Sequence, residues 1–251
     1  MVKRIILIGD SYTFGHGCSD RNYYFDIDKK VWVGEIGMDF EKVPSQFCWG
    51  ALLQNQLPNV KVVNIAKPGQ SYAGMLRDLL ILNANEQLNS DDLLMMCGSF
   101  PDRIEVAHPI NPENPITWSI AYSGHFHNSG EPQDYQTAKN MYAKYLYNEA
   151  ISQNQTMSAF LAIYGLSKLY QTQFVWSRPP LGRPFARELE RILQTITDKF
   201  FPHIYKYDFS GISNLHFNDT CYQPDQHCND LGHQIYFERV IMPFMNTLGI
   251  N

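Results

Sequence analysis

A three-layer α/β/α sandwich around a mostly parallel five-stranded sheet is the fold class that this 251-residue sequence predicts. Short apolar runs recur along the chain, and stretches with apolar residues at helical spacing separate them, which is the signature of parallel βαβ units. The first run, Lys3 to Ile8, carries consecutive apolar residues and ends at Gly9. A run without alternation reads as a strand buried on both faces, as parallel sheets require.

The elements follow in order. Strands are expected at residues 3–8, 60–65, 92–97 and 173–177, with a weaker one near 204–207. Helical patterns fall at 46–57, 72–88, 135–170, 184–200 and 229–246, the 135–170 stretch carrying Tyr142, Tyr145, Leu146 and Ala150 at core spacing. Two connections exceed the usual two to six residues of a βα loop. Cys18 to Pro44 holds Tyr23-Tyr24-Phe25 and Trp32, and Ile104 to Asp134 is rich in proline, asparagine and histidine. Both leave the carboxyl edge of the sheet, where open α/β folds bind ligands. They are expected either to wall the site there, with aromatics suited to a sugar or acyl group, or to pack as ordered surface loops.

Composition narrows the function classes. The net charge is −5, from 20 basic and 25 acidic residues, without a Lys/Arg stripe that would track a phosphate backbone, so nucleic acid is not an expected partner. No stretch approaches the length of a membrane span, and the amino terminus lacks a signal-peptide apolar region and cleavage site. The expectation is a soluble chain of cytoplasmic synthesis, with delivery outside as part of an assembly left open. The five cysteines include no C-x-x-C pair and are not expected to form a disulfide framework; Cys97 reads as core, and Cys221 and Cys228 flank a histidine loop and could pair only under oxidising conditions. His125 and His127, with His108, His203 and His216, have no carboxylate or cysteine at ligand spacing, so no metal is expected. Gly9, Gly15 and Gly17 do not form the Gly-x-Gly-x-x-Gly of a dinucleotide site.

The chemistry-bearing residues lie at opposite ends of the chain. Gly9-Asp10-Ser11 puts a serine where the first strand opens into a loop, although these residue types also make ordinary turns. Near the carboxyl terminus comes Asp225-Gln226-His227, then Asn229 as a helix N-cap and Asp230 in the first helical turn. A serine hydroxyl needs an adjacent base, and the base needs an acid to fix its tautomer. Ser11, His227 and Asp225 supply that trio, and a pairing across the two ends argues for a single domain over 1–251. Asp10 is expected to hold the serine loop through backbone amides, Arg103 to pair with Asp102, and His233 to be a structural hydrogen-bonding group.

These motifs resemble the SGNH hydrolases, also called GDSL esterases or lipases. Gly9-Asp10-Ser11 matches the nucleophile block, Val63-Asn64-Ile65-Ala66-Lys67-Pro68-Gly69 resembles the family's strand-end Asn-x-x-x-x-Gly, and Asp225-x-His227 with Asn229 and Gly232-His233 resembles the acid–histidine block. The resemblance implies a flavodoxin-like strand order, Ser11 as nucleophile, His227 as base, Asp225 as its acid, and oxyanion binding by the amides of Ser11 and Gly69, with Asn64 at the oxyanion or substrate-binding site. It implies no cofactor and a small acyl ester as substrate, an O-acetylated carbohydrate being one case. The third block departs from the family's Gly-x-Asn-Asp: the chain reads Gly98-Ser99-Phe100-Pro101-Asp102-Arg103, with Phe100 at the asparagine position. Ser99 or Arg103 is then expected to fill the oxyanion site, or the activity to be reduced. A Gly-x-x-x-Pro-x-Arg block resembles some members encoded by tailed phages, so a binding or structural module in a viral assembly is the competing reading. A homo-oligomer is left open.

Overall fold

The computed structural model describes residues 1–20, 24–26, 31–33, 43–99, 103–106, 116–119, 141, 149–177, 191–192, 194–196, 199–204 and 227–250. Its centre is a five-stranded sheet of β1 (Arg4–Ile8), β4 (Lys61–Asn64), β5 (Asp92–Cys97), β8 (Gln173–Ser177) and β9 (Phe200–Phe201). The spatial order is β4-β1-β5-β8-β9 and every pairing is parallel. Counting only these strands in chain order, the sheet reads 2-1-3-4-5, the flavodoxin-like order, whose switch point lies between β1 and β5. The loops after β1 and β5 therefore leave the sheet side by side at its carboxyl edge.

Strict alternation of side chains along β1 divides the core. Ile5 and Leu7 face a cluster with Trp49 and Leu53 of α2 (Trp49–Gln56) and with the carboxyl-terminal helices through Ile235, Val240 and Met245. Ile6 and Ile8 face the opposite cluster, with Met75 and Leu79 of α3 (Tyr72–Asn85) and Phe160 and Ile163 of α4 (Glu149–Leu169). All six residues of β5 are buried, as expected for the middle strand of a sheet covered on both faces. Asp92, buried at its start, is held by Arg4 Nε at 2.8 Å and Nη2 at 2.6 Å.

Several elements differ from the sequence expectation. The fifth strand described is Phe200–Phe201, which ends at Pro202, a residue with no amide hydrogen to extend the ladder; of the expected 204–207, Ile204 lies in a 3₁₀ turn and 205–207 fall outside the described residues. Of the 184–200 helix, 191–192 and 194–196 are helical, while Phe200 is already strand. Of the 135–170 helix, α4 forms as Glu149–Leu169; Tyr142, Tyr145 and Leu146 lie outside the described residues. The two long connections contain short antiparallel hairpins, β2 (Tyr24–Asp26) with β3 (Val31–Val33), and β6 (Arg103–Val106) with β7 (Ile116–Ser119), built on β-branched and aromatic residues.

The last helical stretch is α5 (Asp230–Tyr236), a π turn over Phe237–Ile241, and α6 (Met242–Thr247). Pro243 cannot donate to the carbonyl four residues back, and the backbone widens ahead of it so that the Met242 amide reaches the Phe237 carbonyl. Among the described residues, no helix is long and apolar enough to cross a membrane.

Candidate active site

The serine turn is fixed by its neighbours in sequence. A Cβ on Gly9 would lie 2.9 Å from Cys97 Cβ, so only glycine fits where β1 passes β5. Asp10 then caps α1 (Ser11–Phe14): its Oδ1 accepts from the Tyr12 amide at 3.1 Å, and its carbonyl accepts from Thr13 at 3.0 Å and Phe14 at 2.9 Å. Gly15 ends the turn at φ +84°, a left-handed conformation that glycine adopts without a Cβ penalty. Ser11 is thereby the first residue of α1, at the carboxyl edge of the sheet beside the switch point.

His227 arrives from the other end of the chain, immediately before α5. Asn229 caps that helix by accepting from the Gly232 amide at 2.9 Å. Asp230 in the first turn accepts from the Ser19 amide at 2.8 Å and from the Ser19 hydroxyl at 2.5 Å, which clamps the segment after α1 onto α5. Gly17 makes the approach possible: a Cβ there would run into the Cys228 carbonyl and lie 3.0 Å from His227 Cβ. The result is a contact of 2.7 Å between His227 Nε2 and Ser11 Oγ. The imidazole stacks on Tyr12 (centroids 4.6 Å apart, planes at 27°) and meets His16 at 4.9 Å and 55°. Asp225, Phe100 and Asp102 lie outside the described residues.

The other candidate residues fall into two groups. Gly69 sits at φ +71° with open space where a side chain would project. Among the described residues, no acceptor engages the amides of Ser11 or Gly69. Asn64, by contrast, is a strut: its Nδ2 donates to the Thr13 carbonyl at 3.0 Å and its Oδ1 accepts from the Ala66 amide at 3.1 Å. Ser99 is buried, donates its hydroxyl hydrogen to the Gln70 carbonyl at 2.7 Å and accepts from Arg103 Nη1 at 2.9 Å. The same Nη1 lies 2.8 Å from Asp10 Oδ2 and 3.4 Å from the Gln70 carbonyl.

The structure thus places Ser99 and Arg103 beneath the serine turn, with the guanidinium facing the Asp10 carboxylate. Through these contacts the loops after β1, β4 and β5 are tied to one another. Gly98 extends the tie to β8 by donating to Ser177 Oγ at 2.9 Å, and Gln70 Nε2 extends it to α3 through Asp78 at 2.6 Å. Nothing in the local sequence pattern marks Tyr12, His16, Gly17 or Gln70 for these places, since each acts on a residue far away in the chain.

His233, on α5, is structural: its Nδ1 accepts from the Trp49 amide, the first of α2, at 3.3 Å. Burial pushes its pKa down to about 3, opposed by nearby Asp230 and Asp20 and reinforced by His227. The folded chain therefore keeps His233 neutral while the unfolded chain protonates it below the ordinary value of 6.5. Stability is expected to fall by about 1.4 kcal/mol per pH unit as the pH drops below that value. His233→Asn, which keeps an acceptor for Trp49, removes this proton. Urea melts at pH 7.5 and pH 5 should show the variant losing about 2 kcal/mol less than the wild type on acidification.

Among the described residues no three His, Cys, Asp or Glu side chains converge to hold a metal ion. His203 is buried with its ring edge-on to Tyr12 at 5.5 Å.

No family model matches the chain, and no curated protein does. Solved structures do. An esterase, EstA, from Pseudoalteromonas sp. is 12% identical over 99% of this chain and 100% of its own, with a TM-score of 0.54. TesA is 14% identical over 98% and 99%, with a TM-score of 0.53. A lipolytic protein of the G-D-S-L family from Veillonella parvula is 12% identical over 94% of each chain, with a TM-score of 0.51. The fold is that of GDSL/SGNH-type esterases and lipases. At such identities the likeness concerns the fold, and the chemistry rests on this chain's own residues.

Proposed function

We propose that the protein is a serine ester hydrolase of the SGNH type. The observation that carries this reading is the 2.7 Å contact between Ser11 Oγ and His227 Nε2 at the switch point of the sheet. Serine hydroxyl becomes a useful nucleophile at neutral pH when a base stands within hydrogen-bond reach. Ser11 Oγ attacks the ester carbonyl while His227 takes its proton. The carbonyl oxygen becomes an oxyanion held by the amides of Ser11 and Gly69. His227 then protonates the departing alcohol, and water, activated by the same histidine, releases the acid and restores Ser11. Asp225, two residues before His227 in sequence, orients the imidazole.

The substrate class is a small acyl ester, an O-acetylated carbohydrate being one case, and the mechanism needs no metal or organic cofactor. The alternative, a binding module that has lost its chemistry, draws on Phe100 in the third block; the joined serine and histidine speak against it, since a scaffold has no need of that contact. Hydrolysis of 4-nitrophenyl acetate, butyrate and octanoate and of acetylated xylan tests the reading. Turnover highest on the acetyl esters and lost in Ser11→Ala is the expected result. A folded wild-type protein that releases nothing above the Ser11→Ala background on any of them overturns it.

A further inference from the structure

Tyr12 is one residue beyond Ser11, and its place is determined from both ends. Its amide is held by Asp10, its ring is buried, and His203 meets that ring edge-on at an interplanar angle of 77°. The remaining face of interest is the one on which His227 lies, nearly parallel, with centroids 4.6 Å apart. That separation is within the range of offset aromatic stacking and inside the 6 Å limit at which a ring face attracts a cation. The stacked group is the one that turns cationic when it takes the Ser11 proton.

We propose that Tyr12 is a positioning residue whose ring face holds the His227 imidazole toward Ser11 and stabilises the imidazolium formed during acyl transfer. The inference rests on the hydrolase reading above. The neutral imidazole gains only dispersion from the stack, whereas the imidazolium also gains the attraction of the ring's negative face. The interaction is thus stronger in the transition state than in the ground state, which is the condition for accelerating the step. It acts on His227 and touches no reacting atom of the substrate.

Other groups face the same imidazole. His16 reaches it from the turn after α1 and Ser11 from α1. His233 lies close enough on α5 to feel its charge, and His203 adjoins through the Tyr12 ring. A pH profile alone would mix these titrations, so the test must alter the Tyr12 ring without altering its shape.

The experiment places phenylalanine and its mono-, di- and trifluoro derivatives at position 12. Fluorination withdraws charge from the ring face while the packing is nearly preserved, so the series avoids the cavity that Tyr12→Leu would leave. The His227 Cε1 proton is followed by NMR titration, assigned with His227→Gln, and kcat and KM are measured for 4-nitrophenyl acetate. The expected result is a stepwise fall of the His227 pKa across the series by about half a unit to one unit. A parallel fall in kcat of about three- to tenfold, with KM unchanged, is expected alongside.

A His227 pKa and a kcat that are flat across the series overturn the role of Tyr12 and leave the hydrolase reading intact. The NMR readout needs no turnover: a pKa that tracks fluorination in a protein without esterase activity removes the hydrolase reading, and with it the catalytic part of this proposal.

Discussion

His227→Ala is expected to lower kcat for 4-nitrophenyl acetate by about 10⁴-fold or more, with KM little changed. The proton on Ser11 Oγ then has no acceptor at 2.7 Å, and the leaving alcohol has no donor. The effect should equal that of Ser11→Ala, and the double variant should be no worse than either single one, because groups that act as a unit in one step are not additive. Folding should survive, since the helix behind the loop is held by Asn229 and Asp230 and not by the imidazole. Thermal unfolding of both variants within a few degrees of wild type, together with the kinetics, checks the expectation; a loss of less than tenfold contradicts the assignment of His227.

The second large effect is expected at Arg103. Its side chain is 9% exposed and that of its partner Asp10 is fully buried. Removing one partner of a buried ion pair leaves the other charge without compensation, at a cost of about 3–5 kcal/mol. Arg103→Met is therefore expected to lower the Tm by about 10 °C or more in a chain of this size. The same guanidinium holds the Gln70 carbonyl and Ser99 hydroxyl, so the variant also frees the loop that carries Gly69. Displacement by about 1 Å of the Gly69 amide, the oxyanion donor proposed above, is expected to cost on the order of 10² in kcat. Asp10→Asn combined with Arg103→Met should recover part of the stability, and a double-mutant cycle by urea denaturation measures the coupling. Additivity of the two single changes contradicts a paired role.

The sequence shows what local burial dictates. β1, β5 and β8 lie where their apolar runs place them, because a strand covered on both faces cannot alternate polar and apolar residues, and β4, at the sheet edge and only partly buried, falls within its expected run as well. Asn229 caps its helix because only a few side chains serve an orphan amide there. β9 leaves little trace in the sequence, since two residues carry almost no periodic signal, and Pro202 ends the strand. The π turn ahead of Pro243 is likewise a local adjustment within a stretch whose apolar spacing stays helical.

At the site, chemistry made one distant contact legible. A serine proposed as nucleophile needs a base, and that requirement points from Ser11 to His227 across 216 residues. No comparable requirement links Arg103 to Asp10, which are 93 residues apart; the sequence offered Asp102 as the nearer partner. Ser99 similarly read as an oxyanion donor, yet its hydroxyl hydrogen goes to the Gln70 carbonyl. The Tyr12 stack and the clearance provided by Gly17 depend on how the two ends of the chain dock, which no local pattern encodes.

The central claim is that Ser11 is an activated nucleophile, and labelling with a fluorophosphonate probe tests it most directly. The wild-type protein is predicted to be modified once, at the peptide containing Ser11 on mass mapping, and labelling is predicted to vanish in Ser11→Ala and to be slowed by orders of magnitude in His227→Ala. A folded wild-type protein that stays unmodified, or one labelled equally well in the absence of His227, contradicts the account.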